Sequence, residues 1–379
     1  MTRILCISLS PIRRDARVLR QISILRELGD VVTVGYDEKP DGVVEHIRVP
    51  DDRLSLPQTV GGVLKLGMRR FDAVELDAPG VAYALQKLRG REFDLVVAND
   101  ARVLGLAFAV AGNAPVWADM HEWAPEERTH VLSWRLLVAP FMTHLCRKYL
   151  PRAAAVTTVG DEIAALYQRE FGVAPQVMRN AAPYANLSPT DVMPGRIRLV
   201  HSGGAVHGRN LEAMIDAVKL LDARFTLDLY LVPAADGGRY LRSLRDRADG
   251  DDRIVFHDPV PPALLPATLN AYDVGVFWIP PVHTNARLTL PNKLFDYVQA
   301  RLAVAIGPTV EMERVVREHG LGVVSAGFDV RTCAESLRSL TPERIRAFKS
   351  ASDASAERLS FEHEGAAALA MLRPLLAAS

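Results

Sequence analysis

The sequence predicts an α/β protein with two doubly wound parallel sheets, and three observations support this. At 379 residues the chain is too long for one ordinary core, so two domains are expected. Short apolar runs alternate with segments of helical periodicity, which is the pattern of βα units. A stretch rich in Pro, Ala and Ser, residues 181–195, interrupts this alternation and is predicted to link the two halves.

Composition narrows the class of protein. Hydrophobic residues make up 49% of the chain and charged residues 24%, as in soluble globular proteins. Basic and acidic residues both number 45, so no overall field attracts nucleic acid. Three scattered cysteines fit a reducing compartment, and the start, MTRILCISLS, is interpreted as a first strand rather than a signal peptide. A cytoplasmic protein is expected.

The first half opens as a βαβ unit, with strands predicted at 3–10 and 31–36 around a helix at 15–28. The intervening loop, SPIRRDAR, contains no glycine, which argues against a dinucleotide-binding turn. Arg13, Arg14 and Arg17 are candidates for binding an anionic acceptor. A solvated loop is the alternative.

Two further strands of the first half end in polar residues. The strand at 93–98 leads to Asn99 and Asp100, and the strand at 116–120 leads to His121. Ligands of α/β proteins bind at the carboxyl ends of strands, so these side chains are candidates for a site. A histidine held structurally in a loop is the alternative for His121.

Other segments of the first half are less distinctive. GGVLKLGMRRF, within the 50–80 region, is interpreted as a short amphipathic helix, and residues 130–150 combine aromatic residues with a basic end. The second segment could lie on a membrane surface, but a helix packed on the core is the default interpretation. Strands at 153–159 and 177–179 flank a helix at 161–171.

The second half repeats the alternation. Helices are predicted at 210–221, 238–248 and 264–270, and strands at 197–201, 226–232, 254–257, 274–279, 302–306 and 322–325. Residues 362–376 form a final amphipathic segment.

The loop HSGGAVHGR follows the first of these strands and opens a helix. Gly203 and Gly204 permit close backbone approach, and Arg209 precedes the first helical turn, as expected of a phosphate cradle. A plain strand-to-helix turn is the alternative.

A second candidate phosphate site lies in LTLPNKLFDYVQARLAVAI, residues 288–306. Pro291 suits the first position of a helix, and Lys293 and Asp296 are three residues apart on its first turn. There the helix end and the lysine would bind phosphates, while the carboxylate would accept two ribose hydroxyls. A charged first turn on a solvated helix is the alternative. If Arg209 and Lys293 converge on one diphosphate, two contacts of ~1.5–3 kcal/mol each would hold it without a metal.

No catalytic or metal-binding motif in the sequence is more specific than these two candidate phosphate sites. The triplet Asp249, Gly250, Asp251 precedes a strand inside a polar run, so we interpret it as a surface turn and predict no metal site. HExxH, Walker and GxSxG motifs are absent from the sequence.

Taken together, HSGGAVHGR, LPNKLFDYVQARLAV, ADMHEWAPEE, TVGDEIAALY and MRNAAPY resemble the GT-B glycosyltransferases of the family four type, most strongly over residues 197–324. The resemblance implies two Rossmann-like domains facing across a cleft, with the acceptor on the first and the nucleotide sugar on the second. The implied domains are 1–183, joined by the C-terminal helix 361–379, and 184–360. It also implies no cofactor and retention of anomeric configuration.

The resemblance assigns roles to individual residues. Arg209 and Lys293 match the diphosphate-binding pair and His121 the histidine that contacts the donor sugar, so these three are the catalytic candidates. Asp296 matches the ribose-binding carboxylate, and Leu288 stands where the family has a glutamate. The expected donor site also includes Gly203, Gly204, Leu290, Pro291 and Asn292.

Partners and alternatives also follow from the resemblance. The donor would be a UDP or GDP sugar, and the acceptor a glycan, a lipid-linked sugar or a small molecule in bacterial glycan assembly. Peripheral contact with the inner face of the plasma membrane through residues 134–152 is a further expectation. The rival hypotheses are a sugar-nucleotide epimerase or hydrolase on the same fold, and a non-catalytic homologue that binds a nucleotide or a partner.

Overall fold

The computed structural model describes residues 2–129 and 131–377, which divide into two compact units. The first unit comprises the described residues up to Arg179, His283–Asn285 and the described residues from Gly365 onward. The second comprises Asn180–Val282 and Ala286–Glu364. None of the described helices has the length and apolar character needed to cross a membrane.

The first unit contains a seven-stranded parallel sheet in the order β3-β2-β1-β4-β5-β6-β7. Its strands are β1 Arg3–Pro11, β2 Asp30–Tyr36, β3 Glu45–Arg48, β4 Leu95–Asn99, β5 Val116–Met120, β6 Ala155–Thr158 and β7 Gln176–Val177. Its helices are α1 Ala16–Leu25, α2 Val60–Gly67, α3 Pro79–Leu88, α4 Leu104–Ala111, α5 Ala139–Tyr149 and α6 Asp161–Phe171. The apolar runs of the sequence form the central strands because helices cover both faces of a parallel sheet.

The second unit contains a six-stranded parallel sheet in the order β10-β9-β8-β11-β12-β13. Its strands are β8 Ile197–Ala205, β9 Phe225–Pro233, β10 Ile254–His257, β11 Val274–Phe277, β12 Ala303–Ile306 and β13 Gly322–Val324. The helices that follow β7 in the chain are α7 Leu211–Lys219, α8 Arg239–Ala248, α9 Leu265–Leu269, α10 Thr284–Arg287, α11 Asn292–Gln299, α12 Val310–Glu318, α13 Val330–Arg338, α14 Pro342–Ser355 and α15 Phe361–Ala377. The predicted α/β class with two doubly wound sheets is confirmed.

The expected linker is packed rather than loose. Residues 181–195 form no helix or strand, but Ala181 and Ala182 are buried. The Arg301 guanidinium donates to the carbonyl of Ala185 at 2.8 Å, and the Gln299 side chain accepts from the Ala185 N–H at 3.0 Å. These bonds anchor the segment to the second unit.

The unit boundaries differ from the expected 183/184 and 361. The first turn of α15 binds the start of the linker: Phe361 N–H donates to the Ala182 carbonyl, and the Glu362 carboxylate accepts from Tyr184 N–H, both at 2.8 Å. These bonds place both segments in the second unit. Residues 378 and 379 of the expected final helix lie outside the described residues.

Several elements were not predicted from the sequence. Helix α4 reads LGLAFAVA, which is apolar on every side, so it has no polar face to produce a helical period. Strand β3 has only four residues at the edge of its sheet. Helices α3, α12, α13 and α14 were also missed.

Candidate active site

The two predicted phosphate-binding segments meet in the second unit. A Cβ atom added to Gly203 would lie 2.3 Å from Cε and 2.4 Å from Nζ of Lys293, so the lysine side chain lies directly against this glycine. Gly203 has φ +143°, a conformation that side chains with a Cβ rarely adopt. Glycine therefore serves both the backbone shape and the position of the lysine.

The glycine pair lies in a strand rather than in the expected loop. Strand β8 extends to Ala205, and Gly203 and Gly204 pair with Leu231 and Val232 of β9. The expected end at residue 201 was wrong because glycine disfavours strands in isolation, whereas pairing along β9 holds these residues extended.

Arg209 lies in the short loop between β8 and α7. The next residue, Asn210, has a left-handed backbone with φ +59°, and its Nδ2 donates to the Phe328 carbonyl at 2.8 Å. This bond fixes the loop beside the start of α7 at Leu211. Arg209 itself is partly buried, and that burial lowers its pKa.

Helix α11 presents Lys293 and Asp296 near its amino end. It begins at Asn292 with Pro291 as the capping residue, one position later than predicted. No side chain caps this end. The positive end of the helix dipole thus lies next to Lys293.

The surroundings of Lys293 disfavour the charged form of its side chain. Burial lowers the pKa of Lys293 most, the nearby charge of Arg209 lowers it further, and Asp296 opposes both, leaving a pKa of about 8. Arg209 lies in the loop that follows β8, the strand whose Gly203 contacts Lys293, so its charge acts on the lysine. A bound dianion would relieve the repulsion between them, because its charge attracts both.

His201, which the sequence did not single out, lies beneath this cation pair. It stands two residues before Gly203 on β8, and so projects on the same side of the strand. Its Nδ1–H donates to the Val276 carbonyl at 2.9 Å, and its buried Nε2 has no partner among the described residues. Burial and the charges of Lys293 and Arg209 lower its pKa to about 3, so the ring is neutral.

Leu288 and Leu290 face away from solvent. Leu288 is 1% and Leu290 3% exposed, so both side chains pack in apolar surroundings. Position 288 therefore offers no polar side chain to a ligand, and only the backbone of Leu290 could make the predicted contact with the donor. Asn292 is exposed at the helix start.

In the first unit, Arg17 is not available to an acceptor, contrary to expectation. Its Nε and Nη2 donate to the two carboxylate oxygens of Asp119 at 2.7 and 2.6 Å, and its Nη1 donates to the Met178 carbonyl at 2.9 Å. Both side chains are buried. Burial alone would raise the pKa of Asp119, but Arg17 and His121 together outweigh it and hold the pKa well below its usual range. The pair is structural, because breaking a buried ion pair leaves an uncompensated charge.

The other two arginines of the first loop do face solvent. Arg13 and Arg14 belong to a single 3₁₀ turn, Ile12–Arg14, and Arg14 lies 3.6 Å from Asp37. Their role toward an acceptor stays a prediction.

The predicted residues after β4 and β5 do converge. His121 Nε2 lies 3.0 Å from Asn99 Oδ1 and 3.2 Å from Asp119 Oδ2, while His121 Nδ1 lies 3.6 Å from Asp100 Oδ2. Burial lowers the pKa of His121, but the charges of Asp100 and Asp119 outweigh it and raise the pKa to about 8. His121 is thus largely a cation at neutral pH, and its contact with a donor sugar stays a prediction.

Two acidic clusters have structural explanations. Asp72, Glu75 and His144 bring ligand atoms within 4.8 Å of one another, but Lys148 Nζ lies 2.7 Å from Asp72 and 2.9 Å from Glu75, supplying the positive charge that a metal would bring. At the Asp249–Asp251 triplet, Gly250 has φ +78° and Arg253 binds Asp251 at 2.7 Å. The predicted surface turn is confirmed.

Comparison with known proteins agrees with this architecture. Residues 18–181 match the model of Glycosyltransferase Family 4. No curated protein matches the sequence. Similar solved structures include sucrose-phosphate synthase from Thermosynechococcus elongatus, at 15% identity and TM-score 0.70 over 100% of both chains.

Two other solved structures are similar over their full length. The α,α-trehalose 6-phosphate synthase from Burkholderia multivorans has 14% identity and TM-score 0.68 over 100% of both chains. HepE from Anabaena, solved with UDP-glucose, has 15% identity and TM-score 0.68 over 98% of both chains. The full-length likeness shows that the chain has the GT-B fold, and its first half carries the match to Glycosyltransferase Family 4.

Proposed function

We propose that the chain transfers a sugar from a UDP-sugar donor to a glycan, lipid-linked or small-molecule acceptor, without a metal and with retention of configuration. The observation that carries the proposal is the contact of Lys293 with Gly203 on β8, the strand whose following loop carries Arg209, together with the action of the Arg209 charge on Lys293. HepE, which has the same fold, is solved with UDP-glucose, and this supports UDP ahead of GDP as the nucleotide of the donor.

The residues of the second unit can stabilise a departing diphosphate. As the bond between sugar and phosphate breaks, negative charge grows on the phosphate oxygens, and the two cations lie where they can receive it. The carboxylate of Asp296, one turn along from the start of α11, suits the ribose hydroxyls. Because two side-chain cations already balance the dianion, a divalent metal has little to add.

We base the proposed retention of anomeric configuration on the match to the family four model. Chemistry of this type, without an assigned enzymic nucleophile, depends on stabilising the diphosphate and a developing oxocarbenium ion rather than on a covalent intermediate. The proposed catalysis is therefore electrostatic preorganisation.

The transfer reaction can be tested with panels of UDP and GDP sugars, each incubated with and without acceptors. We expect UDP release that requires an acceptor and is unchanged by EDTA. Equal release without an acceptor would indicate a hydrolase or epimerase. Failure to bind either nucleotide in calorimetry would contradict the proposed site, and strict dependence on a divalent cation would contradict the metal-free mechanism.

The affinity for UDP should fall as pH rises above about 8. Lys293 has a pKa of about 8 in the empty protein and must be protonated to attract the diphosphate. Above that value, each pH unit lowers the charged fraction of Lys293 by up to about tenfold, and the affinity for UDP falls with it. The decline ends where the pH reaches the pKa of Lys293 in the UDP-bound protein. Calorimetry from pH 7 to 9.5 measures this decline.

Lys293→Met is the matched control, because it keeps an unbranched side chain without the charge. Its UDP affinity should be weaker and nearly independent of pH over the same range. An equally steep decline in this variant would assign the titration to another group.

A further inference from the structure

A buried hydrogen-bond acceptor lies on the side of β8 that faces Lys293. The acceptor is Nε2 of His201, a residue that is 0% exposed, and Nε2 has no hydrogen-bond partner within the described part of the chain. His201 and Gly203 project to the same side of the strand, and the lysine side chain lies against Gly203. Buried polar atoms are nearly always hydrogen-bonded, so this nitrogen needs an explanation.

The contacts of the His201 ring determine which nitrogen carries the proton. The pairing of β8 with β11 ends at Val200 and Gly275, and Nδ1 of His201 lies 2.9 Å from the carbonyl oxygen of Val276, the next residue of β11. A carbonyl oxygen only accepts, so Nδ1 carries the proton and Nε2 has the lone pair. The pKa of about 3 keeps the ring neutral. Nε2 therefore offers an acceptor to any donor on its side.

Aromatic contacts place the lysine ammonium in the same cluster. The rings of His201 and Phe277 are parallel within 3°, with centroids 5.9 Å apart, and Lys293 Nζ lies 5.9 Å from the centre of the same Phe277 ring. Tyr297, one turn after the lysine on α11, has its hydroxyl 3.3 Å from His201 Nδ1. Helix α11 thus contacts the histidine through Tyr297 and reaches the same cluster through Lys293.

We propose that Nε2 of His201 accepts a hydrogen bond from the Lys293 ammonium and so positions this ammonium for the donor diphosphate. The bond gives the buried nitrogen a partner and favours the charged form of the lysine, against the effects of burial and of Arg209. Asp296 on α11 acts in the same direction. His201 is then a positioning residue. This role rests on the proposed function, whereas the hydrogen bond itself does not.

Nitrogen NMR of the full chain tests the hydrogen bond directly. The resonances of His201 are assigned as those missing from His201→Gln. A ring nitrogen with a lone pair moves upfield when it accepts a hydrogen bond, so the Nε2 resonance should move downfield in Lys293→Met, while Nδ1 keeps its position. An unchanged Nε2 resonance in Lys293→Met would overturn the proposal, whether or not the chain binds UDP.

The pH profile of UDP affinity separates positioning from a purely structural role. His201→Phe keeps a ring but removes the acceptor, so the decline in affinity should begin about one pH unit lower than in the unmodified chain. The two proteins should bind UDP within a few fold of each other at pH 6.5, and His201→Phe about tenfold more weakly at pH 8.5. His201→Gln can place an amide oxygen near the position of Nε2 and should restore most of the difference. A folded His201→Phe protein with an unshifted profile would contradict the positioning role.

Tyr297→Phe is the matched control, because it removes a buried polar group from the same cluster. Its hydroxyl donates to the Val276 carbonyl at 3.2 Å and contacts Nδ1 of His201 rather than Nε2. Its pH profile should match that of the unmodified chain, and a shift as large as in His201→Phe would assign the effect to a general disturbance of the cluster. Absence of UDP binding in the unmodified chain would contradict the proposed function, and the nitrogen spectra would then still show whether the hydrogen bond exists.

Discussion

Arg209→Ala is expected to lower turnover by about 10²–10³-fold, the effect typical of removing one donor that stabilises developing negative charge. Arg209 is partly buried in the loop before α7, and its charge already affects Lys293 in the empty protein. Its loss would leave one cation facing the diphosphate. Initial rates of UDP release, measured with saturating donor and acceptor, report this change.

The fold should survive this substitution. Burial lowers the pKa of Arg209, which means that the empty protein holds this charge at a cost. Thermal unfolding should therefore show a midpoint equal to or above that of the unmodified chain. Arg224→Ala is the control, since Arg224 is exposed and its guanidinium binds the nearby Asp222, and its turnover should be normal. Near-normal turnover in Arg209→Ala with an intact fold would remove Arg209 from the mechanism.

Gly203→Ala should weaken UDP binding about 10- to 100-fold. The added Cβ would occupy the space of Lys293 Cε and Nζ, which lie 2.3 and 2.4 Å from its position. A lysine end is flexible, so it would move away rather than disrupt the sheet, and the diphosphate would lose a charge-assisted contact of ~1.5–3 kcal/mol. Calorimetry with UDP measures the loss.

A double-mutant cycle separates this effect from backbone strain. The positive φ of Gly203 adds a stability cost of ~1–3 kcal/mol to any alanine variant, which chemical denaturation records. In the Lys293→Met background, Gly203→Ala should cost little further UDP affinity, because the contact is already lost. Additive losses would show that the glycine acts independently of the lysine.

Gly204→Ala is the neighbouring control. Its Cβ would meet only Val206 Cγ2, at 3.2 Å, and its φ is not positive. We expect at most a small change in UDP affinity from this substitution. A loss as large as that of Gly203→Ala would indicate a general disturbance of β8.

The candidate residues differ in how far the sequence could place them. Lys293 and Arg209 were predicted from separate motifs, and the structure brings their segments together because the carboxyl end of β8 and the amino end of α11 lie at the same edge of the second sheet. Arg17 was misjudged because its partner, Asp119, is 102 residues away, on β5. Loop composition carries no sign of such a distant buried pair.

The surroundings of His201 and the packing of α2 show a second limit of the sequence. The buried Nε2 of His201 and its lowered pKa depend on β11, on Lys293 and on Arg209, none of which adjoins it in the chain. The sequence suggested an amphipathic helix near residue 65 and a basic aromatic segment near residue 140, but it did not show that they are neighbours.

The sequence by itself determined the class of fold and the chemical types at the donor site. Apolar runs and helical periodicity are local properties of the sequence, and they determine the class of fold. A lysine, an arginine and two glycines at strand and helix ends are the residue types that bind an anion where they come together. Only the tertiary structure decided which charges are compensated. Arg17 is neutralised by Asp119, whereas Lys293 is placed beside another cation, because burial and distance in space set the free energy of a charge.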